Sequence, residues 1–167
     1  MRHAKSDWSN ALQNDFDRPL NARGEKDAET MGRFMFKQGL MPDLIISSPA
    51  VRASKTTQHI VAKIKKEPSD IIYEPKLYMG VPGETIKLID EALLKSNSLL
   101  IVSHNPLVEQ LVSVFWQDDP LPYTDTHKLV TTGNLIIFEL ENDSNSSVSE
   151  KIVLSKKLFR PKELQEI

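Results

Sequence analysis

Four basic side chains, two arginines and two histidines, could together act on a phosphoryl group. Arg2 and His3 are adjacent near the start of the chain, Arg52 lies further along, and His104 follows in the second half. Guanidinium groups match phosphate oxygens through paired hydrogen bonds, which ammonium groups cannot form. Histidine attacks phosphorus to give a phosphoramidate that water can then cleave. If folding brings these four residues together, they predict a site for phosphoryl chemistry.

Short apolar runs alternate with segments of helical periodicity along most of the chain. The runs at 43–47, 70–73 and 99–103 are typical of strands buried on both faces. The helical segments are 25–38, 50–65, 84–95 and 106–115, and the segments 134–140 and 151–154 predict a hairpin. This order predicts an α/β protein, a three-layer α/β/α sandwich with a mostly parallel sheet, as a single domain over 1–167.

Arg52 and His104 each lie at a predicted junction from strand to helix. Ser48-Pro49 and Asn105-Pro106 are typical of an N-cap followed by proline in the first helical turn. Ligands bind beyond the carboxyl ends of parallel strands, where helix N-termini favour anions. Taken alone, Arg52 could also be a solvated surface arginine, and His104 could be a loop histidine held by hydrogen bonds. Their shared position at two strand ends favours a common site.

The composition narrows the possible functions. With 21 Lys and Arg against 23 Asp and Glu, the net charge is −2, so we expect neither a nucleic-acid nor a membrane partner. The absence of cysteine excludes a thiolate nucleophile and sulfur-based zinc sites. The four histidines lack metal-ligand spacing with carboxylates, so we expect no metal and no cofactor. No apolar leader opens the chain, which predicts a cytoplasmic protein.

Four segments occur in the order of known family motifs. They are 1–6 (MRHAKS), 17–24 (DRPLNARG), 47–56 (SSPAVRASKT) and 103–108 (SHNPLV). They resemble the Arg-His signature, the Arg-Pro-Leu segment, the Ser-Pro-x-x-Arg-Ala-x-x-Thr motif and the second-histidine motif of the histidine phosphatase superfamily. The form is that of its small phosphohistidine phosphatase branch. The resemblance covers most of the chain, from residue 1 to about residue 133.

This resemblance implies a phosphatase that uses a histidine nucleophile and a phosphohistidine intermediate. His3 would be the nucleophile, Arg2 and Arg52 would hold the phosphoryl oxygens, and His104 would hydrogen-bond the phosphoryl group as it transfers. The implied substrate is phosphorylated, with phosphohistidine on a signalling protein favoured, and no metal takes part. We expect the flanking arginines to help keep His3 unprotonated for attack.

The chain departs from the family pattern in two places. The family has an apolar strand directly before the Arg-His pair, so we expect this first strand to be missing or truncated here. Many members also place a carboxylic acid near the leaving group, and the corresponding stretch offers only Glu74 and Glu84 as possible acids. Glu84 would equally suit a helix cap, and Glu74 a strand end. Without a clearly placed acid, an imidazole leaving group is favoured over an alkoxide, and phosphohistidine is therefore favoured as the substrate.

Two other functions fit the same residues. A phosphomonoesterase or mutase acting on a small metabolite would need a clear acid and a lid, for which the stretch between Arg52 and His104 leaves little room. A non-catalytic phosphate-binding module on the same fold would have no need of His3. Of the other histidines, His59 is predicted on the surface of a helix, and His127 lies in a segment whose family counterpart approaches the pocket rim.

Overall fold

A three-stranded parallel sheet forms the framework of the computed structural model, which describes residues 1–116, 119–143 and 146–164. Its strands are β1 (Leu44–Ser47), β2 (Ile71–Tyr73) and β3 (Leu99–Val102), arranged in the order β2-β1-β3. Both neighbours pair with β1 in parallel. The three predicted strands are therefore confirmed, and their carboxyl ends lie at one edge of the sheet.

Five α-helices occur in the described part of the chain. They are α1 (Ala22–Lys37), α2 (Val51–Lys63), α3 (Lys76–Met79), α4 (Pro82–Leu93) and α5 (Leu107–Phe115), with short 3₁₀ helices at Pro68–Asp70 and Pro161–Leu164. All except α3 were predicted, because a four-residue helix is too short to show periodicity. None of the helices described has the length and apolar character needed to cross a membrane.

Helices cover both faces of the sheet. Ile45 of β1 packs in one core with Met31 of α1 and Ile60 of α2. The next residue, Ile46, belongs to a separate core that includes Leu107 of α5. Since successive strand residues point to opposite faces, each face of the sheet has its own apolar layer. The predicted three-layer α/β/α arrangement with a mostly parallel sheet is confirmed.

The N-terminal segment joins the sheet through a parallel bridge between Arg2 and Ser103, which lies one residue beyond β3. The N–H of His3 donates to the carbonyl of Ser103 at 2.9 Å, and the N–H of Ser103 donates to the carbonyl of Met1 at 3.0 Å. On the other side, the N–H of Arg2 donates to the carbonyl of Asn134 at 3.1 Å. This arrangement places His3 beside the end of β3.

The predicted hairpin near the end of the chain is confirmed, as the antiparallel strands β4 (Leu135–Leu140) and β5 (Val153–Phe159). The backbone that leads into β4 also supports the N-terminal segment. Gly133 there has a φ of +80°, a left-handed conformation that favours glycine, and its N–H donates to the carbonyl of His3 at 3.0 Å.

A second glycine allows α1 to approach the N-terminal segment. A Cβ atom on Gly24 would lie 2.1 Å from the carbonyl oxygen of Lys5, so no other residue fits without a backbone shift. In the same turn, the side chain of Asn21 caps α1 by accepting from the N–H of Gly24 at 2.9 Å. The first turn of α1 therefore packs directly on the backbone that follows His3.

Candidate active site

The edge of the sheet where β1 and β3 end brings the four predicted residues to one cavity. Arg2, His3, Arg52 and His104 all line this cavity, which has a volume of about 270 Å³. The ring centroids of His3 and His104 are 4.8 Å apart. The Nε of Arg52 donates to Nε2 of His3 at 3.3 Å. Residues separated by about a hundred positions in sequence thus form a single basic cluster.

Helices α2 and α5 begin later than the sequence predicts. Ala50 and Pro106 occupy their N-cap positions, and neither helix has a side-chain cap, so the prediction of Ser48 and Asn105 as N-caps is wrong. The Ser48 hydroxyl accepts from the N–H of Ala50 at 3.3 Å and lies 2.8 Å from Nε2 of His104. Ser48 thereby positions a histidine of the site, a role that sequence reasoning missed.

Hydrogen bonds determine the tautomer of His3. Its Nδ1 lies 2.7 Å from the carbonyl oxygen of Ala4, and because a carbonyl only accepts, Nδ1 carries the hydrogen. In the neutral ring Nε2 then keeps its lone pair, consistent with its accepting a hydrogen bond from Arg52. Nε2 is therefore the nitrogen available to attack an electrophile.

Burial keeps the His3 ring neutral. His3 is 7% exposed, and this burial is the main reason why its pKa falls to about 3. The nearby His104, Arg52 and Arg2 lower the pKa further, while the hydrogen bond to Ala4 raises it. The arginines contribute as the sequence analysis expected, but burial has the larger effect. Near pH 7 the ring is therefore unprotonated.

His104 has a similar electrostatic environment and an unused ring nitrogen. Burial lowers its pKa to about 3, helped by Arg52 and Arg2 and opposed by Asp15. Its Nδ1 is buried and has no hydrogen-bond partner among the described residues. A buried polar atom without a partner is costly. An anion between the two histidines would provide an acceptor for it.

Backbone and carboxylate oxygens hold the two arginines in place. NH1 of Arg2 donates to the carbonyl of Val130 at 2.7 Å, and its buried Nε has no partner among the described residues. In Arg52, NH1 donates to the backbone carbonyl of Asp15, and NH2 donates to its Oδ2 at 2.9 Å. Both guanidinium groups are therefore oriented before any ligand binds.

Asp15 lines the cavity, although sequence reasoning did not identify it. Burial tends to raise its pKa, but hydrogen bonds from Tyr78 and Arg52 outweigh this effect and hold the pKa below its ordinary value. The Tyr78 hydroxyl donates to Oδ2 of Asp15 at 2.8 Å. Asp15 lies in the irregular segment before α1, which shows no periodic pattern, so nothing in the sequence pointed to it. It is ionised near neutral pH.

Neither of the predicted acids reaches the cavity, so the structure does not support Glu74 or Glu84 in that role. The Glu74 carboxylate accepts from the N–H of Lys76 at 2.9 Å, at the start of α3. Glu84 lies exposed in the first turn of α4, where the helix dipole favours a negative charge. Each carboxylate interacts with a helix N-terminus, and the N-cap of α4 is Val81 rather than Glu84.

The remaining two histidines lie outside the cavity. Nδ1 of His59, on α2, is 3.7 Å from Oε1 of Glu29 on α1, which confirms the prediction of a surface position. His127 is exposed and has a φ of +52°. The structure does not place it in the cavity lining.

The two buried neutral histidines predict that acid destabilises the fold. In the unfolded chain their pKa is about 6.5, whereas in the folded protein it is about 3, so the unfolded state binds more protons between these values. The free energy of unfolding should fall by about 2–3 kcal/mol from pH 7.5 to 5.5 through these two groups. Urea denaturation at both pH values measures this loss.

A double variant, His3→Asn with His104→Asn, isolates this contribution. We expect most of the acid sensitivity to disappear in it, while a His59→Gln control keeps the sensitivity of the wild type. An equal loss of stability in the wild type and the double variant would show that the two histidines are not buried in the neutral form.

Comparison with known proteins places this chain in a family. Residues 1–78 match the sequence profile of the histidine phosphatase superfamily (branch 1). Over 114 residues the chain is 32% identical to an uncharacterised protein of Mycobacterium tuberculosis, covering 68% of each chain. It is 27% identical over 122 residues to an uncharacterised chloroplastic protein of Arabidopsis thaliana, and the match spans 56% of that protein's length. The chain belongs to the histidine phosphatase superfamily, which supports phosphatase activity.

Solved structures of similar fold include proteins named SixA. SixA from Agrobacterium tumefaciens superposes with a TM-score of 0.71 at 26% identity, over 94% of both chains. The protein histidine phosphatase SixA in complex with tungstate gives a TM-score of 0.75 at 23% identity, over 98% of this chain and 96% of the other. The latter likeness concerns the fold alone. These comparisons confirm the family that the four sequence motifs indicated.

Proposed function

We propose that this protein is a metal-independent phosphatase that hydrolyses phosphohistidine on proteins through a covalent intermediate on His3. The observation that carries the proposal is the neutral Nε2 of His3, which faces one guanidinium group and lies beside the ring of His104. Membership of the superfamily supports phosphoryl chemistry at this cluster. The similarity to SixA from Agrobacterium tumefaciens supports a phosphorylated protein as the substrate.

In the first step, the lone pair on Nε2 of His3 attacks phosphorus. A bond between Nε2 and phosphorus forms while the bond from phosphorus to the leaving nitrogen breaks. Arg2 and Arg52 hold the phosphoryl oxygens, where negative charge spreads in a loose transition state. The Ser48 hydroxyl donates to Nε2 of His104, so that Nδ1–H of His104 donates to a third oxygen.

In the second step, water attacks the phosphorus of the intermediate. The bond to His3 breaks, and its electron pair returns to Nε2 while the proton of the water leaves with the phosphate product. The hydrogen bond from Nδ1 to the Ala4 carbonyl keeps the ring oriented through both steps. Arg2 and Arg52 stabilise the second transition state as they do the first. Release of the phosphate returns the enzyme to its starting form.

The charge state of Asp15 supports a nitrogen leaving group. Among the described residues that line the cavity, Asp15 is the one carboxylate, and its pKa is held low by Tyr78 and Arg52. An ionised carboxylate has no proton to give to an alkoxide. The imidazole ring of the substrate has a pKa of about 6.5, so solvent can protonate it. The protonated ring then leaves as neutral imidazole without a placed acid. Phosphohistidine is therefore a better substrate for this site than phosphoserine.

The test compares kcat/KM for two peptides of matched sequence, one carrying phosphohistidine and the other phosphoserine. We expect phosphohistidine to be preferred by roughly 10²–10⁴-fold, the contribution that a general acid makes for an alkoxide leaving group. Asp15→Asn should not selectively lose phosphoserine turnover, and Glu84→Gln is the matched control outside the cavity. Equal efficiencies, or selective loss of phosphoserine turnover in Asp15→Asn, would show that an acid operates and contradict the proposed substrate class.

A further inference from the structure

The cavity extends beyond the basic cluster to an exposed aromatic side chain. Besides the arginines and histidines, its lining includes Lys5, Ser6 and Trp8. Trp8 is 64% exposed, which is unusual for so large an apolar side chain. A phosphoryl group held between His3 and His104 fills only part of this space, so the part near Trp8 is available to the rest of a substrate.

Two contacts hold the indole ring of Trp8 in place. Its Nε1 donates to Oγ of Ser6 at 3.1 Å. The guanidinium carbon of Arg18 lies 3.6 Å from the ring centroid, so this cation covers one face of the ring. A ring fixed in this way offers its other face to a ligand at little cost in conformational freedom.

Arg18 has few other interactions that would explain its position. Its side chain is 12% exposed, and its nearest carboxylate oxygen, Oδ1 of Asp15, lies 3.6 Å from Nε. Its buried Nε and NH1 have no hydrogen-bond partner among the described residues. Leaving buried donors unpaired is costly, so hydrogen bonding does not explain why the charge lies there. Its close contacts are the face of the Trp8 ring and the Asp15 carboxylate.

Tyr78, the other aromatic side chain beside the basic cluster, is already engaged. Its hydroxyl donates to Asp15, and its ring makes edge contacts with Phe16 and with His104, at centroid distances of 5.1 and 5.4 Å. Apart from the two site histidines, Trp8 is the aromatic side chain found in the described lining of the cavity. A planar group bound there has Trp8 as its stacking partner.

We infer that Trp8, supported by Arg18, forms a subsite for the leaving group and stacks on the planar imidazole ring of the substrate. This inference rests on the proposed function, in which the bond from phosphorus to an imidazole nitrogen breaks. Stacking favours an aromatic leaving group over an alkyl one, and it is strengthened when the substrate ring is protonated, the cationic form that then departs as neutral imidazole. Trp8 thus selects for phosphohistidine through binding, independently of the leaving-group pKa.

The test is the ratio of kcat/KM for a phosphohistidine peptide to kcat/KM for acetyl phosphate, whose leaving group is not aromatic. In Trp8→Ala we expect this ratio to fall about tenfold, and Trp8→Phe should restore most of it, as an aromatic stacking contribution would. Trp116→Phe, outside the cavity, is the matched control. A ratio in Trp8→Ala within about twofold of wild type would overturn the subsite while leaving the phosphatase intact.

A binding measurement separates failure of the subsite from failure of the proposed function. The chain has two tryptophans, so a double variant, His3→Ala with Trp116→Phe, leaves Trp8 as its single tryptophan and lacks the proposed nucleophile. A phosphohistidine peptide should quench Trp8 emission saturably, and a matched phosphoserine peptide should do so much less. Quenching without turnover by the wild type would refute the phosphatase but keep the subsite. Equal quenching by both peptides would refute the subsite.

Discussion

We expect the His3→Ala variant to lose turnover of every phosphorylated substrate. Its kcat should fall by roughly 10⁴-fold or more, because removal of the nucleophile eliminates the covalent route while binding contributions remain. The measurement is steady-state hydrolysis of an aryl phosphate and of a phosphohistidine peptide. Nε2 of His3 accepts from Arg52 and its Nδ1 donates to Ala4, so the ring is held in one orientation that an alanine side chain cannot supply.

The matched control is His59→Ala, a histidine on α2 whose partner is Glu29 and which lies outside the cavity. Its kcat should stay within about twofold of the wild type, as for most surface substitutions away from a site. Thermal denaturation of both variants shows whether the fold is retained. A folded His3→Ala protein with kcat within tenfold of wild type would contradict the assigned nucleophile.

We expect Arg52→Lys to lower kcat/KM by roughly 10²–10³-fold, although it preserves the charge. The arginine uses Nε toward His3 and its two terminal nitrogens toward Asp15, a forked geometry that one ammonium group cannot reproduce. Each terminal nitrogen has a second N–H left for the phosphoryl oxygens, and the developing charge would lose this pair of donors in the lysine variant. Competitive inhibition by inorganic phosphate, measured alongside, should weaken in the same variant.

Arg33→Lys is the control for this substitution. Arg33 is a half-exposed arginine on α1 whose NH1 pairs with Oε2 of Glu29 at 3.1 Å. Arg33 does not line the cavity, so a lysine there leaves the proposed phosphoryl contacts unchanged. Its kcat/KM should match the wild type. If Arg52→Lys stayed within about threefold of the wild type, the guanidinium geometry at residue 52 would not contribute to transition-state binding.

The elements of the fold were predictable because strands buried on both faces leave continuous apolar runs, and helices packed on one face leave a helical period. The runs around Ile45 and Ile101 are apolar in succession, since each face of the sheet meets a helical layer. Their parallel order places both strand ends at one edge, and this brought Arg52 and His104 together. The position of His3 followed from the family motif, and the structure shows that pairing with Ser103 places it there.

The rest of the site depends on contacts that leave no local pattern. Asp15 and Trp8 lie in an irregular segment, and only the tertiary fold brings them to Arg52 and Arg18. Ser48 followed by proline resembles an N-cap, yet its hydroxyl is directed to His104 because α2 starts three residues later.

The two glutamates were ambiguous in the sequence, since Glu84 also suited a helix cap and Glu74 a strand end. Their residue type suited an acid, but the unpredicted helix α3 and the first turn of α4 use both carboxylates near helix N-termini. Composition alone could not distinguish these roles, because a carboxylate favours a helix N-terminus and an active site for the same electrostatic reason.

Trapping the covalent intermediate tests the central claim most directly. Wild-type protein mixed with a ³²P-labelled phosphohistidine peptide is quenched in alkali within milliseconds, because phosphoramidates survive in base and hydrolyse in acid. The digest is then mapped by mass spectrometry. We predict label on the peptide that contains His3, bonded through Nε2, and none in His3→Ala. Hydrolysis by the wild type with no label at His3, or with label at His104, would contradict the account.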